Sequence, residues 1–95
     1  MEFEFEGEVI EWRGPAPFYF IATPKEITVE IEACKNELSY GWGVIPARVT
    51  IGKVTETTSL IPRNGSFLVP IKNALRVPNK IELGDWISLR LELRA

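Results

Sequence analysis

The chain begins and ends with strict alternation of apolar and polar residues. Near the N-terminus, Phe3 and Phe5 alternate with four glutamates between positions 2 and 8. Near the C-terminus, apolar residues over 87–93 alternate with polar ones, and Arg90 and Arg94 are on the polar side. A period of two predicts strands with one buried and one solvated face. Because opposite charges on facing strands attract, we predict that these terminal strands pair antiparallel, with arginines opposite glutamates.

An apolar stripe with helical spacing lies between residues 24 and 38. Thr23, Pro24 and Glu26 have the order of a capping box, with Thr23 as the N-cap and Glu26 three residues later. The stripe follows in steps of four, three and four residues and consists of Ile27, Ile31, Cys34 and Leu38. We predict a helix that ends at about Leu38, before Gly41-Trp42-Gly43.

The second half of the chain has the signals of two hairpins. Apolar-rich runs over 44–51 and 54–61 are joined by Gly52-Lys53, which suits a type II′ turn. Asn64-Gly65 tolerates the positive φ values of a type I′ turn and leads into a returning strand over 66–69. Pro70 is predicted to open a short helix near 70–77.

These elements predict one mostly β domain over residues 1–95, in the order β-β-α-β-β-β-α-β. A loop around Gly14 separates the first two strands, because prolines and glycine there do not suit a central strand. The predicted architecture is a small double-split or closed β-barrel of about six strands, with a longer helix near 24–38 and a short helix near 70–77.

The residue types in the chain limit its chemistry. Its 95 residues include no histidine and one cysteine, Cys34. These counts exclude an internal disulfide, a zinc site of Cys and His, and histidine-based nucleophilic catalysis. The sequence therefore favours a non-catalytic domain without catalytic residues, cofactor or metal, although catalysis by carboxylates, lysines or tyrosines stays open. A cytoplasmic location is predicted, since the chain has a single cysteine, no basic signal-peptide start and no apolar run of about 20 residues.

Charge is distributed unevenly along the chain. The net charge is −2, but residues 1–35 hold eight acidic and three basic residues, a local charge of −5. Residues 46–80 hold six basic residues and one acidic residue, a local charge of +5. We call residues 46–80 the basic segment. It either forms an anion-binding face or neutralises the acidic N-terminal part of the fold.

Six residues are candidates for a ligand- or anion-binding site. They are Arg63, Lys72, Arg48, Trp42, Trp12 and Tyr19. Arg63 lies at the tip of a predicted hairpin and Lys72 near the start of the short helix, so the strand between them is expected to hold them at opposite ends. The two bases either bind an anion or are solvated charges. Trp42 either closes the barrel or lines the mouth of a pocket.

Five stretches resemble a family of small prokaryotic proteins known only as a domain of unknown function, number 1905. The stretches are Trp12–Pro15 with Phe18–Phe20, Gly41–Pro46, Thr58–Arg63, Leu68–Lys72 and Ile81–Asp85. Their order and spacing span nearly the whole chain. The resemblance implies a double-split β-barrel and no established activity. The part from Val69 to Leu93 also resembles an element of AbrB-like regulators and MazE-like antitoxins.

Two hypotheses of function follow from the sequence. The first is a non-catalytic β-barrel module that binds a small anionic ligand or a protein partner at an opening flanked by Trp12, Tyr19 and Trp42. The alternative is a nucleic-acid-binding homodimer of AbrB-like type. The net negative charge and the lack of a long basic arm weigh against nucleic acid. The sequence indicates no membrane partner and leaves open whether the chain is a monomer or a homodimer.

Overall fold

The computed structural model describes residues 1–13, 17–38 and 45–93, without the side chains of residues 13, 17 and 35–38. These ranges contain β1 (Glu2–Glu8), β2 (Ile10–Arg13), β3 (Pro17–Ala22), α1 (Lys25–Leu38), β4 (Ile45–Ile51), β5 (Val54–Arg63), β6 (Ser66–Pro70), α2 (Asn73–Arg76) and β7 (Trp86–Leu93). The strands form one antiparallel sheet in the order β1-β7-β4-β5-β6-β3-β2. The sheet curls into a half-barrel, so the mostly β class is confirmed.

The strand β2 is absent from the sequence prediction, which gives about six strands where the described residues have seven. It pairs with β3, with Trp12 opposite Phe18. Between β1 and β2, the Val9 amide donates to the Asp85 carbonyl at 2.8 Å, and the Val9 carbonyl accepts from the Gly84 amide at 2.9 Å. The chain thus changes its pairing at Val9, and its first two strands lie at the two edges of the sheet.

The predicted pairing of the terminal strands is confirmed. β1 and β7 are antiparallel, with Glu4 opposite Arg90. The Arg90 guanidinium lies 3.1 Å from Glu2 through Nε and 3.2 Å from Glu4 through Nη2. Arg94 lies outside the described residues.

The predicted helix is confirmed as α1, but its capping box is wrong. In a capping box, the Thr23 amide would donate to the Glu26 carboxylate. It donates instead to the Phe67 carbonyl, at 2.9 Å. The Thr23 hydroxyl accepts from the Phe67 amide at 3.2 Å and lies 2.6 Å from the Thr28 hydroxyl. Thr23 therefore connects the start of α1 to β6. Ile31 is buried in the core, while Leu38 lies outside the described side chains.

Both predicted hairpin turns are confirmed by their backbone angles. Gly52 has a φ of 61° between the paired residues Ile51 and Val54, as the first position of a type II′ turn requires. Asn64 and Gly65 have φ values of 51° and 77°, the two positive angles of a type I′ turn.

Pro70 is the last residue of β6 and does not begin a helix. The predicted start of the short helix at Pro70 is therefore wrong. Pro70 lies opposite Phe20, and the next amide, that of Ile71, donates to the Tyr19 carbonyl at 2.8 Å. The register places the Pro70 nitrogen on the side of β5, whose pairing with β6 ends at Leu68. Since proline has no amide hydrogen, it fits a position where the ladder stops. The helix α2 covers only Asn73–Arg76.

The interior of the half-barrel is filled by the core. Val49, Leu60, Val69 and Leu91 come from four different strands and are fully buried, and Ile31 of α1 packs on them. Each such side chain stabilises the fold by about 1.5–3 kcal/mol. A binding site must therefore lie on the outer surface of the sheet or at its ends.

Candidate functional site

Three aromatic rings form a cluster on the outer face of β2 and β3. Trp12 and Phe18 are cross-strand neighbours and are 44% and 52% exposed. Phe20 is only 2% exposed and is not part of the main core. Its ring centroid lies 6.4 Å from that of Trp12 and 6.3 Å from that of Phe18. We call Trp12, Phe18 and Phe20 the aromatic cluster.

Arg63 lies on the aromatic cluster. Its Cζ atom is 4.5 Å from the centroid of the Trp12 ring, which is a cation–π distance. The structure thus brings together two of the six predicted residues that are far apart in sequence. Exposed Ile10 precedes Trp12 by two positions on the same strand. The outer surface here is apolar and aromatic with a cation at its rim.

Tyr19 and Lys72 come together at a neighbouring cleft. The cleft has a volume of about 230 Å³ and is lined by Phe18, Tyr19, Pro70, Ile71, Lys72 and Asn73. Lys72 Nζ donates to the backbone carbonyl of Thr57 at 2.7 Å. Tyr19 points to the other face of β3 from Phe18 and packs against the core. Trp12 and Tyr19 therefore do not line one opening.

Arg63 and Lys72 lie at opposite ends of β6, as the sequence predicts. Arg63 opposes Ser66 at the first residue of β6, whereas Lys72 follows its last residue, Pro70. Phe18 connects the two regions, because it belongs to the aromatic cluster and also lines the cleft beside Lys72.

Arg76 contacts two residues that line this cleft, although it is not among the six candidates. Its Cζ atom lies 4.8 Å from the Tyr19 ring centroid, and its Nη2 donates to Asn73 Oδ1 at 3.2 Å. Its Nε is buried and has no hydrogen-bond partner within the described ranges.

Phe18 and Phe20 are also missing from the candidates. Two phenylalanines on either side of Tyr19 indicate that the outer face of this strand is apolar. The same run of apolar residues is also typical of a strand that is buried on both faces.

Arg48 lies away from the aromatic cluster. It opposes Thr57, which is six residues before Arg63 on β5, so the two arginines are separated by about 20 Å along the strand. Its Nη1 lies 3.9 Å from Glu92 Oε2. Trp42 lies outside the described residues.

The bases of the basic segment therefore differ in their surroundings. Arg48 has a carboxylate partner. Within the part of the chain that the structure describes, Arg63, Lys72 and Arg76 contact rings, a carbonyl and an amide, but no carboxylate. The acidic β1 is instead paired with Arg90, which lies outside the basic segment.

The described ranges contain neither a metal-binding cluster nor a membrane-spanning helix. No group of three or more His, Cys, Asp or Glu residues in them is arranged to hold a metal ion. No helix in them is long and apolar enough to cross a membrane.

Comparison with known proteins identifies a family. A search of curated proteins finds no match. The model of one protein family, described as "Domain of unknown function (DUF1905)", matches residues 5–91. This range includes β1 from Phe5 onward, all of β2, the aromatic cluster and the cleft. The chain therefore belongs to the DUF1905 family, as the sequence resemblance predicted.

Proposed function

We propose that this chain is a non-catalytic protein-interaction module that binds its partner with the aromatic cluster. The observation that carries the proposal is the exposure of Trp12 and Phe18 side by side, with Arg63 on the Trp12 ring. Tryptophan and arginine are enriched among the residues that dominate binding energy at protein interfaces. Contiguous exposed apolar surface is uncommon on monomeric proteins unless it serves binding.

The binding of a small anionic ligand has weaker support. The cleft beside Tyr19 and Lys72 has about 230 Å³, below the range of about 300–1,000 Å³ in which most ligand pockets fall. The interior of the half-barrel is filled by core side chains. The outer surface is therefore the better candidate for binding.

The nucleic-acid alternative also has weaker support. Arg48 and Arg63 are about 20 Å apart on the sheet, and Arg48 is paired with Glu92. The outer face of β1, which runs into β2, carries the exposed Glu6 and Glu8. A stripe of bases that follows a phosphate backbone would require neighbouring cations instead.

The double-split form of the barrel and a cytoplasmic location are further parts of this proposal. The split is supported by β5, which pairs with β4 from Val54 to Leu60 but with β6 only from Ile61 to Arg63. A reducing compartment is supported by the single cysteine, Cys34, which is partly buried against the core.

A display library of random dodecapeptides tests the interaction. The immobilised protein is used for selection, and the selected peptides are measured against Trp12→Ala and Trp86→Ala. Trp86 is a matched control, because it is exposed at 68% and lies on β7, away from the cluster. We expect Trp12→Ala to weaken binding by about 30-fold, the effect of losing about 2 kcal/mol at a central interface residue.

Circular dichroism must show both variants folded. Selected peptides that bind Trp12→Ala as tightly as Trp86→Ala would contradict the proposal, and so would a library that yields no specific binder.

A further inference from the structure

We propose that the partner segment is an extended peptide with an apolar centre and carboxylates at both ends. This inference rests on the proposed function and adds the chemistry of the partner. It is derived from one surface, which we call the docking strip: Arg63, Trp12, Phe18 and Lys72, in that order.

The docking strip is continuous. Arg63 lies 4.5 Å above the ring of Trp12, and Trp12 is the cross-strand neighbour of Phe18. Phe18 in turn lines the cleft with Lys72. The strip thus has an aromatic centre and a cation at each end.

Neither cation has its charge neutralised within the described ranges. Arg63 lies on an aromatic ring, and Lys72 donates to the neutral carbonyl of Thr57. Neither the ring nor the carbonyl carries a negative charge, so a positive charge remains at each end of the strip. Three of the carboxylates on β1 are already engaged, Glu2 and Glu4 by Arg90 and Glu6 by the indole of Trp86. Charge complementarity therefore favours carboxylates on the partner.

The length of the strip sets the spacing of these carboxylates. Arg63 opposes Ser66, and Lys72 follows Ser66 by six residues along an extended backbone. The backbones of Arg63 and Lys72 are thus about 20 Å apart along β6, the rise of six residues in a strand. An extended segment of about seven residues, with acidic residues at its ends and apolar residues between, covers the same distance.

A single-stranded nucleic acid also stacks on aromatic rings between cations. The charges near the strip favour the peptide. Glu8 is exposed at the end of β1, two residues before Ile10 of β2, and repels a chain with a phosphate at every nucleotide. A peptide with carboxylates only at its ends avoids that repulsion.

Three synthetic peptides test the inference by calorimetry or fluorescence anisotropy. All three are blocked heptapeptides with a Leu-Trp-Leu centre, and two glutamates, two glutamines or two lysines stand at each end. We expect the glutamate peptide to bind about tenfold more tightly than the glutamine peptide at low salt, since two exposed charge pairs contribute modestly each. The lysine peptide should bind least.

Charge reversal in the protein provides the second arm. The double variant Arg63→Glu with Lys72→Glu should invert the order, so that the lysine peptide binds more tightly than the glutamate peptide. Lys53→Glu is the matched control, because Lys53 is exposed in the β4–β5 turn, away from the strip, and should leave the order unchanged.

The outcomes separate this inference from the proposed function. Equal binding of the glutamate and glutamine peptides would overturn the acidic partner but leave an interaction that depends on Trp12. Binding of none of the three would also overturn the inference, while peptides from the display library would still test the proposed function. Tighter binding of an oligothymidylate decanucleotide than of the glutamate peptide would overturn it in favour of nucleic acid.

Discussion

The outer surface of the sheet differs between its two halves. In the acidic half, formed by β1, β7 and β4, charged side chains cover the surface and contact each other, as Arg90 does with Glu2 and Glu4. In the aromatic half, formed by β6, β3, β2 and the end of β5, two neighbouring exposed rings lie beside cations that lack carboxylate partners within the described ranges. The acidic half pairs its charges within the fold and exposes a single large ring, Trp86, among its described residues, whereas the aromatic half exposes two neighbouring rings beside cations without carboxylate partners.

This difference is the reason why we propose the aromatic half, and not the acidic half, as the binding surface. Burial of the inner face explains the apolar residues that point inward in both halves. It does not explain Trp12 and Phe18, which point outward and stay exposed. Both rings contact Phe20, yet about half of each side chain stays exposed.

The largest effect is expected where the two halves meet. Gly7 of β1 is buried against Ile21 of β3, and a Cβ atom on Gly7 would lie 2.5 Å from Ile21 Cγ2. Gly7→Ala therefore forces apart two packed strands and should lower the free energy of unfolding by about 3 kcal/mol, at the upper end for overpacking. Urea denaturation measures the change.

A double variant checks the cause. Ile21→Ala removes the methyl group that would clash, so Gly7→Ala should cost much less in that background. An unchanged cost would show that the two halves do not meet through this contact.

The next effect tests how the aromatic half is attached to α1. Thr23→Val keeps the shape of the side chain but removes the acceptor of the Phe67 amide. A buried amide without a partner costs about 2 kcal/mol, and thermal or urea unfolding should show this loss.

Thr28→Val is the control for that loss. The Thr28 hydroxyl donates to the Pro24 carbonyl, which also accepts from the Thr28 amide at 2.9 Å. Its removal takes one partner from the Thr23 hydroxyl but leaves no amide unpaired, so it should cost less than Thr23→Val. The reverse order would contradict the role given to Thr23.

The smallest effect is expected in the acidic half. Arg90 and its two glutamates are half exposed or more, so Arg90→Ala should cost about 0.5–1 kcal/mol. Because salt screens exposed charges, the cost should decrease in 1 M NaCl, where the Debye length is about 3 Å. A cost that is independent of salt would mean that Arg90 acts through packing of its side chain. Arg48→Ala, which removes one longer contact, should cost less.

The sequence predicts those features of this fold that depend on neighbouring residues. Alternation near Phe5 and Leu91 identifies the terminal strands, and the turn at Asn64 follows from the local preference of that residue for positive φ. Pro70 shows the limit of local signals. A proline before a short helical run resembles a helix start, and only the registers of β5 and β3 with β6 make it a strand end.

The candidate site is less predictable, because it depends on contacts between distant residues. The sequence names the individual residues, since Trp12, Arg63, Tyr19 and Lys72 are all among its candidates. The sequence does not predict which of them lie together, because the contact between Arg63 and Trp12 joins residues fifty-one positions apart. Which bases meet a carboxylate is likewise decided by sheet order, which places Arg48 beside Glu92 and leaves Arg63 on a ring.

The pairing of β1 with β7 also has a consequence for the order of events during synthesis. The Met1 amino group lies 3.3 Å from the Leu93 carbonyl, so the ladder joins the two ends of the chain across 92 positions. Closing so large a loop is entropically costly, and strand pairing over such a distance in sequence is slow. During synthesis, Phe3 and Phe5 therefore find their partner strand only after β7 has left the exit tunnel.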